Sequence, residues 1–403
     1  MKLKTILLAG AMSVMAGGAW ASCSYENEVP LKSLTAGFEA WKAVTDAMAE
    51  CGNFSASLDQ EFREKQPEAF AANPSLYQIG GVANETMIPL LNAGTIRPLD
   101  DLVEKYGQDL LPNQLIKVDG KVMAIAMMVN AQHLMYRNDI LADLGIEEPK
   151  TYDDVLAAAA KIKETGVMEY PIGGTYKTGW NLAQEFVNMY MGEGGEFLGE
   201  GNAPSINNEK GVKALETMKA MTEFMDPEYL VSDSTYVQQQ FQQGKIAMAN
   251  LWASRAAAMN DEAESQVVGK VTMASAPMGS VRPSTTIWWD GIVLATNMSD
   301  EEADAAFRLV MEGIDGDMVS ANNDTAVWLN AAYQPGELAA GAAASAENGA
   351  GAYPASAAMG VLHSALGNGL ADYLTGAKDA ETTLADIEAA YITAAKEAGL
   401  ISN

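Results

Sequence analysis

Short apolar runs alternate with stretches whose apolar residues recur at helical spacing along most of the chain. Val29–Leu34 alternates apolar and polar positions and predicts a first strand, and Phe38–Ala49 predicts the helix after it. Phe54–Leu58 and Leu76–Ile79 read as second and third strands, with a helix around Gln60–Ala71 between them. Glu85–Ala93 reads as another helix, ended by Gly94. Strands separated by helices imply βαβ units, an α/β class and a mostly parallel sheet. Asp119-Gly120 predicts a hairpin turn; the apolar run after it passes through Asn130 and resumes as Leu134–Tyr136. Thr151 is a natural N-cap, Asp153 and Asp154 suit a positive helix start, and Gly166 ends that helix. A glutamine-rich helix stops at Gly244, a residue suited to a left-handed cap. Lys245–Asn250 then reads as a buried strand that delivers Trp252 at its end. Lys270–Gly279 and Thr285–Thr296 predict further strands, and Leu366–Leu400 the terminal helices. The Ala/Gly-rich stretch Leu338–Gly360 reads as a loosely packed insertion without a functional role.

The N-terminus adds a compartment. Lys2 and Lys4, the apolar run Ile6–Ala16 and the small-x-small site Ala19-Trp20-Ala21 form a secretory signal peptide ending at residue 21. The run is well short of the ~20 residues needed to span a bilayer. The mature chain is therefore expected outside the cytoplasm, in the periplasm. Of the two cysteines, Cys23 lies just after the cut. A lipid anchor there would want Leu and a small residue three and one positions before it, where the chain has Trp20 and Ser22. A Cys23–Cys51 disulfide suits an oxidising compartment better, and would be worth roughly 3 kcal/mol on the chain-entropy view.

With 53 acidic against 25 basic residues, the chain carries a formal charge of −28. Nucleic acid, which demands a cationic surface, is excluded as a partner. Six arginines leave no room for a broad polyanion clamp. His133 and His363 are the only histidines, and there is no G-x-S-x-G, H-E-x-x-H or P-loop. Gly192–Gly201 carries three glutamates and reads as a surface loop. Asp315-Gly316-Asp317 lacks the further ligands of a calcium loop. No cofactor and no metal are expected. Carboxylate pairs alone do not exclude a glycosidase.

In open α/β sheets, ligands lie beyond the carboxyl ends of strands, so Trp252 is a candidate stacking surface. The order of several motifs carries a resemblance. These are Gln238–Trp252, the Lys117–Arg137 run with Tyr136-Arg137-Asn138-Asp139, the Gly145–Gly166 segment with PKTYDD, Ala276-Pro277-Met278-Gly279, Thr285–Thr296, and the terminal helices. From about Val29 to Ala398 the chain resembles the sugar-binding class of extracellular solute-binding proteins, the maltose-binding-protein-like receptors of ABC importers.

The resemblance implies a periplasmic-binding-protein-like fold: two discontinuous α/β lobes around a ligand cleft with a three-segment hinge. Lobe 1 would comprise 22–128 and 277–325, and lobe 2 would comprise 129–276 and 326–403, with crossings near Met127, Ala276 and Thr325. It also implies a monomeric receptor, not an enzyme, that closes on a mono- or oligosaccharide and delivers it to an ABC permease and its ATPase. Gly37, Phe38 and Glu39 follow the first strand, and Gly80, Gly81 and Asn84 the third. Asn130 falls in the first crossing. Thr175, Tyr176 and Trp180 would supply the second lobe. Asn250, Trp252 and Arg255 lie around a strand end, with Arg255 a candidate for pairing an anionic group. Trp288, Trp289, Asp290 and Gly291 share a strand, and alternation allows only one of the two tryptophans to face a ligand. Trp328, near the third crossing, could close the cleft. The rivals are a receptor for a quaternary ammonium or other compatible solute held in a tryptophan cage, a secreted carbohydrate-active enzyme, and a receptor that only signals.

Overall fold

The computed structural model describes residues 23–402. The signal-peptide segment lies outside the described residues. Among the described residues, twelve strands form two sheets: β1 Leu31–Thr35, β2 Phe54–Leu58, β3 Ile79–Ala83, β4 Leu115–Val118, β5 Lys121–Asn130, β6 Gln132–Arg137, β7 Ile172–Gly173, β8 Met248–Trp252, β9 Val271–Ala274, β10 Thr286–Leu294, β11 Val327–Trp328 and β12 Gly351–Ala352. The first sheet runs β11-β5-β10-β3-β1-β2, with β4 on β5 and β12 on β10; the second runs β7-β8-β6-β9.

Apart from the two-residue β12, which pairs with the start of β10, the chain passes between the two units three times. It leaves the first sheet at Ala131, between β5 and β6, and returns between Ala274 and Thr286. After β11 it leaves again, and the helices Ala340–Glu347 and Ala357–Gly369 pack on the second unit. The first and third changes fall a few residues beyond Met127 and Thr325, because β5 and β11 continue pairing to Asn130 and Trp328.

The sheets are mixed rather than mostly parallel. Only β1 with β2 and β3, β7 with β8, and β10 with β12 run parallel. Strand β10 enters from the other unit and inserts antiparallel between β3 and β5. A return strand of this kind breaks the βαβ rule that local sequence suggests.

Local signals account for several boundaries. Asp119 and Gly120 both have positive φ, +49° and +80°, which is the geometry a two-residue hairpin requires, and they join β4 to β5. Gly244, at φ +67°, follows the helix Ser234–Gln242. Thr151 and Asp154 form a reciprocal capping box at the helix Tyr152–Glu164. In the helix Glu39–Glu50, Ala40, Trp41, Val44 and Met48 form the buried stripe. Cys23 and Cys51 are disulfide-bonded, and the bond ties the segment before β1 to the end of that helix. Among the described residues no helix is long and apolar enough to cross a membrane.

Candidate functional site: the cleft between the sheets

A cavity of about 440 Å³ opens where strand ends of both units meet. One wall comes from the segments after β1 and β2, with Phe38, Gln60, Phe62 and Arg63. The other comes from Trp180, Ser234, Thr235, Trp252, Ser254 and Arg255. Asn130 from the end of β5, with Trp288 and Asp290 from β10, completes the floor.

Three tryptophans form an aromatic corner. Trp180 and Trp252 stack at 6.3 Å and 29° between rings. Trp288 stands edge-on to both, at 5.6 Å from Trp180 and 6.0 Å from Trp252. Trp180 and Trp288 have their polar edges satisfied, and Trp252 is stacked on Trp180. Trp288 Nε1 donates to Thr286 Oγ1 at 2.8 Å, and Tyr353 lies behind its ring at 4.2 Å. Trp180 Nε1 donates to Glu85 Oε2 at 2.8 Å, which links the second unit to the loop after β3. Below Trp180, His363 donates from Nε2 to the Trp180 carbonyl, leaving Nδ1 to accept from the Tyr353 hydroxyl, each at 3.0 Å. Burial holds the His363 ring below its usual pKa, so it is neutral. Aromatic faces stripped of their own polar demands suit the apolar face of a sugar ring.

The polar rim is built around Asn130. Its amide donates to Ser254 Oγ at 3.2 Å, and its oxygen accepts from the Ser254 N–H at 3.3 Å. Asp290 is half-buried beside it, and burial raises its carboxyl to about 7 against the opposing pull of Arg63 and the Asn130 amide. The Arg63 guanidinium lies 4.5 Å from the Trp180 ring centre and 4.7 Å from that of Phe62. Burial lowers its pKa, while Glu85 and Asp290 pull the other way. Arg255 donates to Gln238 at 2.8 Å and Thr235 at 3.2 Å.

Of the candidates from sequence, Phe38, Asn130, Trp180, Trp252, Arg255, Trp288 and Asp290 line this cavity. The others stand elsewhere. Gly80 and Gly81 belong to β3, which begins three residues later than expected. A Cβ on Gly80 would meet Phe70 at 2.6 Å, and one on Gly81 would meet Trp41 at 2.7 Å, so both glycines serve helix-on-sheet packing. Asn84 accepts from the Trp289 N–H at 3.2 Å. Trp289 points to the opposite face of β10 and packs against the cluster around Phe70 and Val293. Gly291 sits at the register shift of β10, where a Cβ would meet the Ile125 carbonyl at 2.4 Å. Gly37 accepts from the Gln60 amide through its carbonyl, and Glu39 lies outside the wall as the first residue of its helix.

Thr175 and Tyr176 are buried behind the cleft. Thr175 donates to Glu185, and Tyr176 stands edge-on to Tyr229 in the core. Asn250 turns to the Tyr152 hydroxyl at 2.9 Å, two residues short of the strand end. Trp328 fills the core of the first unit, with Nε1 donating to the Asn322 carbonyl. The insertion Leu338–Gly360 is ordered into a helix and β12, and leads to Tyr353, the residue that backs Trp288.

Sequence reasoning missed Arg63, Phe62, Lys177, Asp233 and Thr235. Arg63 and Phe62 follow the carboxyl end of β2, which the strand-end rule marks as readily as those of β1 and β3. Asp233 caps the helix Ser234–Gln242 by accepting from the Thr235 and Tyr236 N–H groups.

Residues 61–381 match the model of the bacterial extracellular solute-binding protein family. A probable ABC transporter-binding protein of Deinococcus radiodurans is 26% identical over 317 residues, 71% of this chain and 72% of its own. Other curated relatives match over only about 36% of their length. Among solved structures, the ribitol complex of an Agrobacterium radiobacter K84 ABC transporter solute-binding protein superposes with a TM-score of 0.79. It is 21% identical, over 91% of this chain and 98% of that one. Maltose-bound MalE3 of T. maritima gives 0.77 at 20% identity, over 90% and 99%. With two α/β units around a cleft and a match across most of its length, the chain belongs to the bacterial extracellular solute-binding proteins.

Proposed function

We propose that this protein is the substrate-binding receptor of an ABC importer and that it holds a carbohydrate or polyol in the cavity between its units. The carrying observation is the corner of Trp180, Trp252 and Trp288 facing a rim of Asn130, Ser254, Asp290 and Arg63. A sugar presents the same combination, an apolar face and a ring of hydroxyls that both donate and accept. Related structures hold ribitol and maltose, which supports this class. The first lobe would be 23–130 with 286–328, and the second 132–274 with the segments after residue 329. They would close by bending at the three connections. The protein would act as an extracytoplasmic monomer, deliver its ligand to a permease driven by an ATPase, and perform no chemistry on it.

A quaternary ammonium cage would also use three tryptophans, but Arg63 already lies over Trp180 and would repel a second cation. A thermal-shift screen against sugars, polyols, amino acids and betaines tests the reading. Native-state ligands raise the melting temperature with the logarithm of concentration. A shift with a sugar or polyol is expected; a shift confined to betaines would replace it with the cation cage.

A further inference from the structure

Arg63 is a cation with unmet hydrogen bonds. Its guanidinium offers five donors in a planar fork. Among the described residues none of them reaches an acceptor, no carboxylate oxygen lies within 4.0 Å, and Nε is buried without a partner. The group is clamped between Phe62 and Trp180 at the cavity wall. Arg63 is partly exposed, but burying its Nε–H without a partner costs free energy unless something returns the hydrogen bond. Glu85 and Asp290 attract Arg63 from beyond ion-pair distance but supply no hydrogen bond. Glu85 Oε2 is committed to Trp180. Asp233 caps its helix and faces Lys177 at 3.4 Å, and Glu61 is 3.3 Å from Lys65. Asp290, whose carboxyl is pushed up to about 7 by burial, makes no ion pair with Arg63.

The wall also carries Glu61, Glu64, Asp233 and Asp290 beside Lys177 and Arg255, so positive potential is local to Arg63 and the backbone around it. The helices Glu39–Glu50, Phe62–Ala71 and Trp180–Gly192 all begin at the cavity, and no side chain caps any of the three. Their first N–H groups add partial positive charge there. Arg255 adds a second guanidinium, bonded to neutral Gln238 and Thr235 and attracted by Asp233 and Glu39.

We infer that the cleft selects an acidic carbohydrate, a sugar or polyol bearing a carboxylate or phosphate, and that Arg63 receives its anionic group while the tryptophans hold the carbon chain. The inference rests on the carbohydrate reading above and narrows it. A carboxylate would meet the fork through two parallel hydrogen bonds, the strongest geometry available to arginine.

Titration calorimetry of the mature, disulfide-bonded protein with matched pairs tests it. The pairs are gluconate with glucitol, galacturonate with galactose, and glucose 6-phosphate with glucose, with succinate as an acid that is not a sugar. One acidic member is expected to bind about 30-fold or more tighter than its neutral partner, and whether it is the carboxylate or the phosphate identifies the group. Arg63→Gln should bring that ratio close to one, and Arg63→Lys should retain part of it. If Arg63→Gln fails to give a native melting profile, the wild-type ratios and the lysine variant still decide. Equal binding of acid and neutral partner, or equal weakening of both by Arg63→Gln, would overturn the inference and leave the carbohydrate reading standing. Binding of succinate alone would overturn both the carbohydrate reading and the inference that narrows it. Silence across all pairs would overturn both.

Discussion

Tryptophan placement separates binding from stability at single positions. Trp252 is partly exposed at the cavity, stacked on Trp180, whereas Trp288 is only 3% exposed and packed on Tyr353. Truncating Trp252 to Ala should lower affinity for the cleft ligand about 10- to 100-fold with little change in urea stability. Trp288→Ala should destabilise the fold by about 3–5 kcal/mol, because it leaves a cavity in the core. Calorimetry and urea denaturation on both variants check this; equal stability losses would contradict the assignment of Trp252 to the wall. From sequence, alternation established that Trp288 and Trp289 oppose each other. Which face met the ligand depended on the neighbours of β10, and no local pattern carries that.

At the level of elements, β3 shows how close packing imitates a binding loop. Gly-Gly after an apolar run looks like a place where backbone approaches a ligand, yet the space above Gly81 is filled by Thr35 and Trp41. Gly81→Ala should therefore destabilise the protein by about 1–3 kcal/mol and leave ligand affinity unchanged once the variant is folded. Loss of affinity at unchanged melting temperature would return Gly81 to the site. The helices were readable because caps and periodicity are local: Thr151 with Asp154, and Gly244 after the glutamine-rich helix. The parallel expectation for the sheets failed because β10 reaches β3 and β5 from the other unit, pairings across roughly 210 and 160 residues that leave no local trace.

For the whole molecule, the connections between the two units carry a buried polar network. Gln132, the first residue of β6, donates to Glu185 Oε1 at 2.9 Å. Asn188 donates to Gln132, while Gln184 reaches Thr286 at 2.9 Å, so the first two connections are tied through one helix. Burial raises the Glu185 carboxyl to about 7, against the bonds from Thr175 and Gln132. The folded pKa lies above the unfolded value near 4.5, so the folded state binds the extra proton between the two. Stability from this group is full below about pH 4.5 and is lost as pH rises through about 7, a loss of roughly 3 kcal/mol for the full shift. Glu185→Gln, which keeps the acceptor, should therefore gain in melting temperature relative to wild type as pH goes from 5 to 8. Parallel curves for the two proteins across that range would refute the assignment.

The periodicities, caps and turn residues of the chain determined its α/β class, most of its helices, the β4–β5 hairpin and the cysteine pairing, since each depends on residues near in sequence or on there being only two cysteines. They also marked the strand end that delivers Trp252; Asn130 became a candidate through the resemblance, and Asp290 through the strand it shares with Trp288 and Trp289. The tertiary structure decided which side of each strand met the cleft, sent Trp328, Tyr176 and Asn250 inward, and brought Arg63 over Trp180. Those outcomes depend on how two units, between which the chain passes three times, face each other, and a side chain's neighbours across that gap are set by packing rather than by its own segment.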